Sequence, residues 1–203
     1  MALSGSINRV IIQDMMNDRI LQKWEGDSFI SSIVLSENKK YAAICRSIGY
    51  NNRPNKDKLI IFDLAEKKVI YSETFTCVGV SLALTQDGSK LAVEHSYLIN
   101  PTDRRYSARM LIFNTQPPYD KKYFDVEASS RAAVFSPDDS LLAVSCYESD
   151  ICFFDAITNN QVYELKAHPQ ITNIAFSQDG KFIATSSDWA LISVWAIPPF
   201  QNK

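Results

Sequence analysis

The chain has 203 residues, 46% hydrophobic and 22% charged, with 21 Lys and Arg against 23 Asp and Glu for a net charge of −2. That is enough chain for one sizeable core, and the composition excludes a disordered, collagen-like or disulfide-stapled class. The near-balanced charge gives no global pull towards nucleic acid or anionic membrane, so neither is expected as a partner.

The first ten residues lack a basic flank followed by an apolar run and read poorly as a signal peptide. No apolar stretch reaches the ~20 residues of a membrane-spanning helix. Cys45, Cys77, Cys146 and Cys152 form no Cys-x-x-Cys pair. A reducing cytoplasmic compartment is expected, with the nucleus or delivery into a host cell left open. Residues 9–14, Arg-Val-Ile-Ile-Gln-Asp, and 19–24, Arg-Ile-Leu-Gln-Lys-Trp, are the first strand signals.

One pattern then recurs four times. Residues 33–44 read Ile-Val-Leu-Ser-Glu-Asn-Lys-Lys-Tyr-Ala-Ala-Ile, and residues 82–93, 133–144 and 174–185 repeat the scheme. An apolar run ends in a hydroxyl, a polar turn follows, and a second apolar run begins. The hydroxyls Ser36, Thr85, Ser136 and Ser177 keep the register at steps of 49, 51 and 41 residues. Each unit adds a third run: Lys58-Leu-Ile-Ile-Phe-Asp, Arg109-Met-Leu-Ile-Phe-Asn, Asp150-Ile-Cys-Phe-Phe-Asp and Leu191-Ile-Ser-Val-Trp-Ala. Fourth runs begin at Lys68, Lys122 and Gln161. Short β-branched and aromatic runs bounded by turn residues are strands, and a 40–50-residue period of strands predicts propeller blades.

These residues make the chain resemble the WD-repeat β-propeller family from about Arg9 to Ile197. The best copy runs over residues 167–196, with His168 before the inner strand, Ser-Gln-Asp-Gly at the turn and Trp195 in the third strand. Phe62, Phe113 and Phe154 stand where the family has Trp. The Asp that follows that Trp in the family survives as Asp63 and Asp155, and is replaced by Asn114 and Ala196. The resemblance implies an all-β propeller of four-stranded antiparallel blades, about four per chain with an extra N-terminal strand. It forms a single domain: N-terminal strands in 9–27, then units at about 28–75, 76–127, 128–167 and 168–197. It also implies one hydrogen-bonded chain through His168, Ser187, Asp188 and Trp195. Phe cannot donate the indole hydrogen bond, so the other blades must rely on apolar packing.

The strands number 17, and the last unit ends at its third. Family-type closure would bring residues 19–24 to that unit and leave residues 9–13 over. A two-chain ring, a tight four-bladed ring, part of a longer propeller, or an incomplete one finished by a partner protein all satisfy the count.

Two units carry insertions between second and third strands, residues 47–57 and 95–107. Tyr50, Arg53, Tyr97, Arg104, Arg105 and Tyr106 lie on them, and Trp189 occupies the equivalent short loop of the last unit. Tyr and Arg dominate interaction hot spots, and Arg forks match carboxylate and phosphate. The expected role is a non-catalytic scaffold binding an acidic or phosphorylated protein segment. A structural subunit of a larger assembly is the alternative. A phosphoinositide binder suggested by Arg104-Arg105, or a channel-site ligand binder or enzyme, are lesser ones. The innermost strands offer Ser31, Ser32, Ser81, Thr172 and Asn173 and no carboxylate or His. Only His95 and His168 exist, without Cys or a second His at ligand spacing, so no metal, cofactor or catalytic residue is expected. Cys146 and Cys152 flank the turn near Ser149 and are expected to face each other as two reduced, half-buried thiols, with a disulfide between them as the alternative.

Overall fold

The computed structural model describes residues 2–6, 9–14, 16–25, 29–48, 56–76, 81–100, 105–126, 131–146, 150–168, 170–188 and 190–198. Side chains are described for all of these except 2–6, 24–25, 29, 47–48, 56–57, 75–76, 95–100 and 105–108. Regular structure among them is entirely β. An N-terminal sheet holds β1 (Ala2–Ser6), β2 (Arg9–Asp14) and β3 (Arg19–Glu25). Blade 1 holds β4 (Phe29–Leu35), β5 (Tyr41–Ile48), β6 (Lys56–Asp63) and β7 (Lys68–Thr76). Blade 2 holds β8 (Leu82–Leu84), β9 (Lys90–Asn100), β10 (Arg105–Asn114) and β11 (Lys121–Val126). Blade 3 holds β12 (Ala133–Phe135), β13 (Leu141–Cys146), β14 (Asp150–Asp155) and β15 (Gln161–Lys166). Blade 4 holds β16 (Ile171–Phe176), β17 (Phe182–Ser187) and β18 (Ile192–Ala196). Within each sheet the strands pair antiparallel in chain order. The inner strands β4, β8, β12 and β16 lie against one another in succession, with β1 beside β4. This is the radial arrangement of a β-propeller.

The apolar third strands of blades 1, 2 and 3 are continuous because each is buried on both faces, whereas β18 of blade 4 buries only one. In blade 2, Leu91, Val93, Leu111 and Phe113 face blade 1 and pack with Tyr41, Cys45, Leu59 and Ile61. The alternate residues Ala92, Met110 and Ile112 face blade 3 and meet Leu142, Val144 and Phe154. The period of two thus supplies two cores from one strand.

The register hydroxyls each do the same work at the tip of the first hairpin. Ser36 Oγ, Thr85 Oγ1, Ser136 Oγ and Ser177 Oγ accept the backbone N–H five residues on, at 3.0, 2.9, 2.9 and 3.0 Å. Each donates to the side chain two residues on: Asn38, Asp87, Asp138 and Asp179, at 2.7, 2.8, 2.5 and 2.7 Å. The next position is left-handed, occupied by Lys39, Gly88, Asp139 and Gly180 with φ of 59°, 70°, 58° and 69°. Asp63 and Asp155 cap the turns into the outer strands by accepting two backbone N–H groups each.

Three features differ from the sequence expectation. The strand at residues 19–24 pairs with β2, not with blade 4. Its hairpin is locally built, with Asp14 accepting from Met16 N at 3.0 Å and from Asn17 Nδ2 at 2.8 Å, and Asp18 at φ 59°. β1 is an eighteenth strand, in a segment whose small polar residues carry no strand signal. Cys146 and Cys152 are disulfide-bonded, with Cα atoms 5.8 Å apart and both residues buried, so they are not two half-buried thiols. Nor do they face each other directly: Cys146 pairs with Asp150 and Cys152 with Val144, so the bridge runs diagonally across the hairpin.

Candidate functional site

Antiparallel order places the β5–β6 and β9–β10 connections at one end of neighbouring blades, opposite the hydroxyl turns. The β5–β6 pairing continues out to Ile48 and Lys56. The β9–β10 pairing runs further, through Ser107 opposite Tyr97 and Tyr106 opposite Leu98, to Arg105 opposite Asn100. Most of insertion 95–107 is therefore an extension of the strand pair rather than an inserted loop. Its Tyr97, Leu98, Ile99 and Tyr106 are strand-forming types. Tyr97, Arg105 and Tyr106 are placed on these strands. Tyr50, Arg53, Arg104 and Trp189 lie outside the described residues.

In blade 4 a buried polar chain runs through His168, Thr185 and Trp195. Thr185 Oγ1 accepts the Trp195 indole N–H at 3.2 Å and lies 2.8 Å from His168 Nε2. A hydroxyl has one proton and two lone pairs, so it can accept the indole proton and still donate to a neutral imidazole. The hydroxyl in this chain is Thr185, two residues before Ser187 on the same strand face. Ser187 instead closes the next turn, its N–H on Leu191 O at 3.1 Å. Asp188 stands outside the chain as well, one place earlier than the family spacing, and its carboxylate accepts from Arg131 Nη1 of blade 3 at 2.6 Å. His168 Nδ1 is buried with no hydrogen-bond partner among the described residues.

The electrostatic structure concentrates at the turn end. Asp138 and Asp87 are pushed up by partial burial, but hydrogen bonds from Ser136 and Ser140, and from Ser89 and Thr85, outweigh it and hold both below the usual carboxylate range. Hydrogen bonds from Thr158 and Ser177 hold Asp155 and Asp179 down likewise. Asp139 moves the other way: burial raises it despite the N–H of Gln86. Among the described residues, no group of three His, Cys, Asp or Glu is placed to hold a metal ion, and no helix is long and apolar enough to cross a membrane.

Comparison with known proteins follows the same geometry. The family "WD domain, G-beta repeat" matches residues 159–196, from the outer strand of blade 3 to the end of β18. The DDB1- and CUL4-associated factor 10 of Homo sapiens is 26% identical over 110 residues, 52% of this chain and 19% of that protein. Its Danio rerio counterpart is 30% identical over 70 residues, 34% of this chain and 14% of that protein. The chain thus spans about a fifth or less of these relatives. Among solved structures, the Cps50 (Swd1) β-propeller domain of Myceliophteria thermophila superposes with a TM-score of 0.74 at 18% identity, over 98% of this chain and 62% of that one. A Kuenenia stuttgartiensis hydrazine synthase superposes with a TM-score of 0.75 at 12% identity, over 94% of this chain and 65% of that one. Both structural likenesses speak for the fold.

Proposed function

We propose, from the propeller fold and the match of a WD-repeat family model to residues 159–196, that the chain is a non-catalytic protein–protein interaction scaffold of the WD-repeat kind whose insertion end binds an acidic or phosphorylated protein segment. The observation that carries this reading is the register of the two long hairpins. Strand pairing in adjacent blades supports both insertions on a rigid base and brings Tyr97, Arg105 and Tyr106 to one end of blade 2. Recognition built on a rigid scaffold loses little conformational entropy on binding. In the sequence, Tyr50, Arg53, Arg104 and Trp189 belong to the segments that connect second to third strands. Arg forks then supply bidentate donors to carboxylate or phosphate.

The likeness to DDB1- and CUL4-associated factors names one assembly to test first, with this chain as a subunit that joins DDB1 and CUL4. Replacing Arg53, Arg104 and Arg105 together with Glu should abolish capture of acidic or phosphorylated partners while leaving the melting curve and circular dichroism unchanged. Retention of every partner by the folded triple variant would refute the patch.

A second reading rests on blade 4. β18 ends its sheet, and Ile192 and Val194 are 80% and 67% exposed. Such an edge supports an arc completed by further blades, from a second copy or a partner. Light scattering coupled to size exclusion separates these: a doubled mass that holds on dilution supports the two-chain ring.

A further inference from the structure

Successive blades are stitched together at the turn end, and the stitch is missing at one boundary. Between blades 1 and 2, Asn38 donates to Gln86 O from its backbone at 3.1 Å and to Asp87 O from its side chain at 2.6 Å. Between blades 2 and 3, the Asp139 carboxylate accepts Gln86 N at 2.8 and 3.1 Å, and Lys90 Nζ donates to Ala156 O at 3.0 Å. The repeat register gives the counterparts of these four residues at the boundary between blades 3 and 4. Pro137 replaces Gln86 and has no N–H to give. Gly180 replaces Asp139 and has no carboxylate; a Cβ there would reach Pro137 Cδ at 3.8 Å. Leu141 replaces Lys90, and Ile197 replaces Ala156.

The consequence is a cleft. At the blade 2–3 boundary the cavity beside Lys90 and Ala156 measures about 230 Å³. At the blade 3–4 boundary it opens to about 770 Å³. Its apolar lining includes Pro137, Leu141, Phe176, Phe182 and Ile197, with Phe182 45% exposed. Its polar rim carries three carboxylates, Asp138, Asp155 and Asp179, against one cation, Lys181. Lys181 lies 3.7 Å from Asp179 and Lys90 of blade 2 acts on Asp155, which leaves the rim with a net negative charge centred on Asp138.

We propose that this cleft is a second binding site, at the opposite end of the blades from the insertions, for a peptide segment that places an Arg or Lys beside an aromatic or apolar side chain. The apolar floor accepts the hydrophobic residue. The rim carboxylates pair with the cation in a partly enclosed site, where a charge-assisted hydrogen bond gains over one in open solvent. The charge complement selects a cationic segment and rejects the acidic one proposed for the insertion end.

The test uses the full chain and two fluorescein-labelled peptides that differ only in a central Arg-Phe or Glu-Phe pair, read by anisotropy. The Arg-Phe peptide should bind at least about tenfold tighter than the Glu-Phe peptide. Two independent variants rebuild the missing stitch: L141K restores the lysine reach, and Pro137→Gln with Gly180→Asp restores the N–H to carboxylate bond. Asp is suited to position 180 because Asp139 holds the same left-handed conformation. Whichever of the two stays folded by its melting curve should lose Arg-Phe binding by about tenfold or more, whereas the Arg53, Arg104, Arg105 triple variant should keep it. Equal binding of the two peptides, or undiminished binding to a folded closed variant, overturns the proposal. So does a dimer that either closed variant splits with no peptide binding, since a second copy would then be the occupant.

Discussion

Blades 2 and 4 are built from the same pattern, yet they hold themselves together in opposite ways. Blade 4 is the copy nearest the family pattern, and it alone among the described residues joins a His, a hydroxyl and a Trp indole in one buried chain. It is also the blade with bare apolar strands, Ile192 and Val194. Blade 2 has Phe113 in place of the Trp and no such chain, but Leu91, Ala92, Met110 and Leu111 are completely buried. Motif quality therefore does not measure packing. The polar chain fastens a blade from within, which suits a blade with an exposed face. A blade held between two neighbours can lose the motif and keep its place through two apolar faces.

The sharpest way to break this comparison is to remove the packing that replaced the motif. Phe113 is 1% exposed and lies in the core between blades 1 and 2, with its ring 5.2 Å from that of Tyr71. Phe113→Ala should cost about 3–5 kcal/mol of unfolding free energy, read from urea or thermal denaturation, and should unfold blades 1 and 2 together. A loss no larger than that of a surface substitution would show that the apolar faces do not carry blade 2.

The matching experiment in blade 4 is Thr185→Val, which keeps the shape and deletes the hydroxyl. It leaves the Trp195 N–H and His168 Nε2 without their partner, at about 1–3 kcal/mol. Because β18 is the edge of its sheet and has an exposed face, the loss should appear as faster hydrogen exchange in β17 and β18 with β9 and β10 unchanged. Global destabilisation equal to that of Phe113→Ala would erase the distinction between the two blades.

This division also explains what was legible in the sequence. The repeat, the strand order within blades and the turn register could be read because each is local: a hydroxyl at Ser36 or Ser177 and the N–H five residues on fix the hairpin without reference to any neighbour. The continuous apolar third strands were legible for the same reason. The pairing of β3 with β2 turned on Asp14 and Asn17 capping a short hairpin, which competed with a closure known only by resemblance. Thr185 was hidden because Ser187 lies on the same strand face two residues away, and only the three-dimensional diagonal to Trp195 separates them. The blade 3–4 cleft was hidden more deeply. Pro137, Leu141 and Gly180 are ordinary turn residues until each is set against the blade 2 and blade 3 residues that make the stitch. At the insertion end the sequence supplied the residue types and the strand register supplied their common base.

The smallest expected effect separates two adjacent carboxylates in the turn that joins blades 2 and 3. Asp138 is exposed, and its hydrogen bonds from Ser136 and Ser140 hold its pKa below the ordinary value near 3.9. Its contribution to stability is thus present above that value and lost as pH falls through the lowered folded-state pKa. Asp139 is half-buried, and burial raises its pKa even though it accepts the Gln86 N–H. Its sign is reversed: the contribution is present below the unfolded value and lost as pH rises through the raised folded value. Asp138→Asn should therefore lower stability at pH 7 and lose that deficit in acid. Asp139→Asn keeps an oxygen for Gln86 and should raise stability at pH 7, with the gain vanishing in acid. Each change should stay below about 1 kcal/mol, because both groups are partly solvated. Denaturant midpoints at pH 7 and pH 3 resolve the two signs. If both variants shifted in the same direction, the stitch at Asp139 would be acting as an ordinary charge-assisted hydrogen bond, unburdened by burial, and the boundary between blades 2 and 3 would owe its closure to carboxylate charge as much as to Lys90.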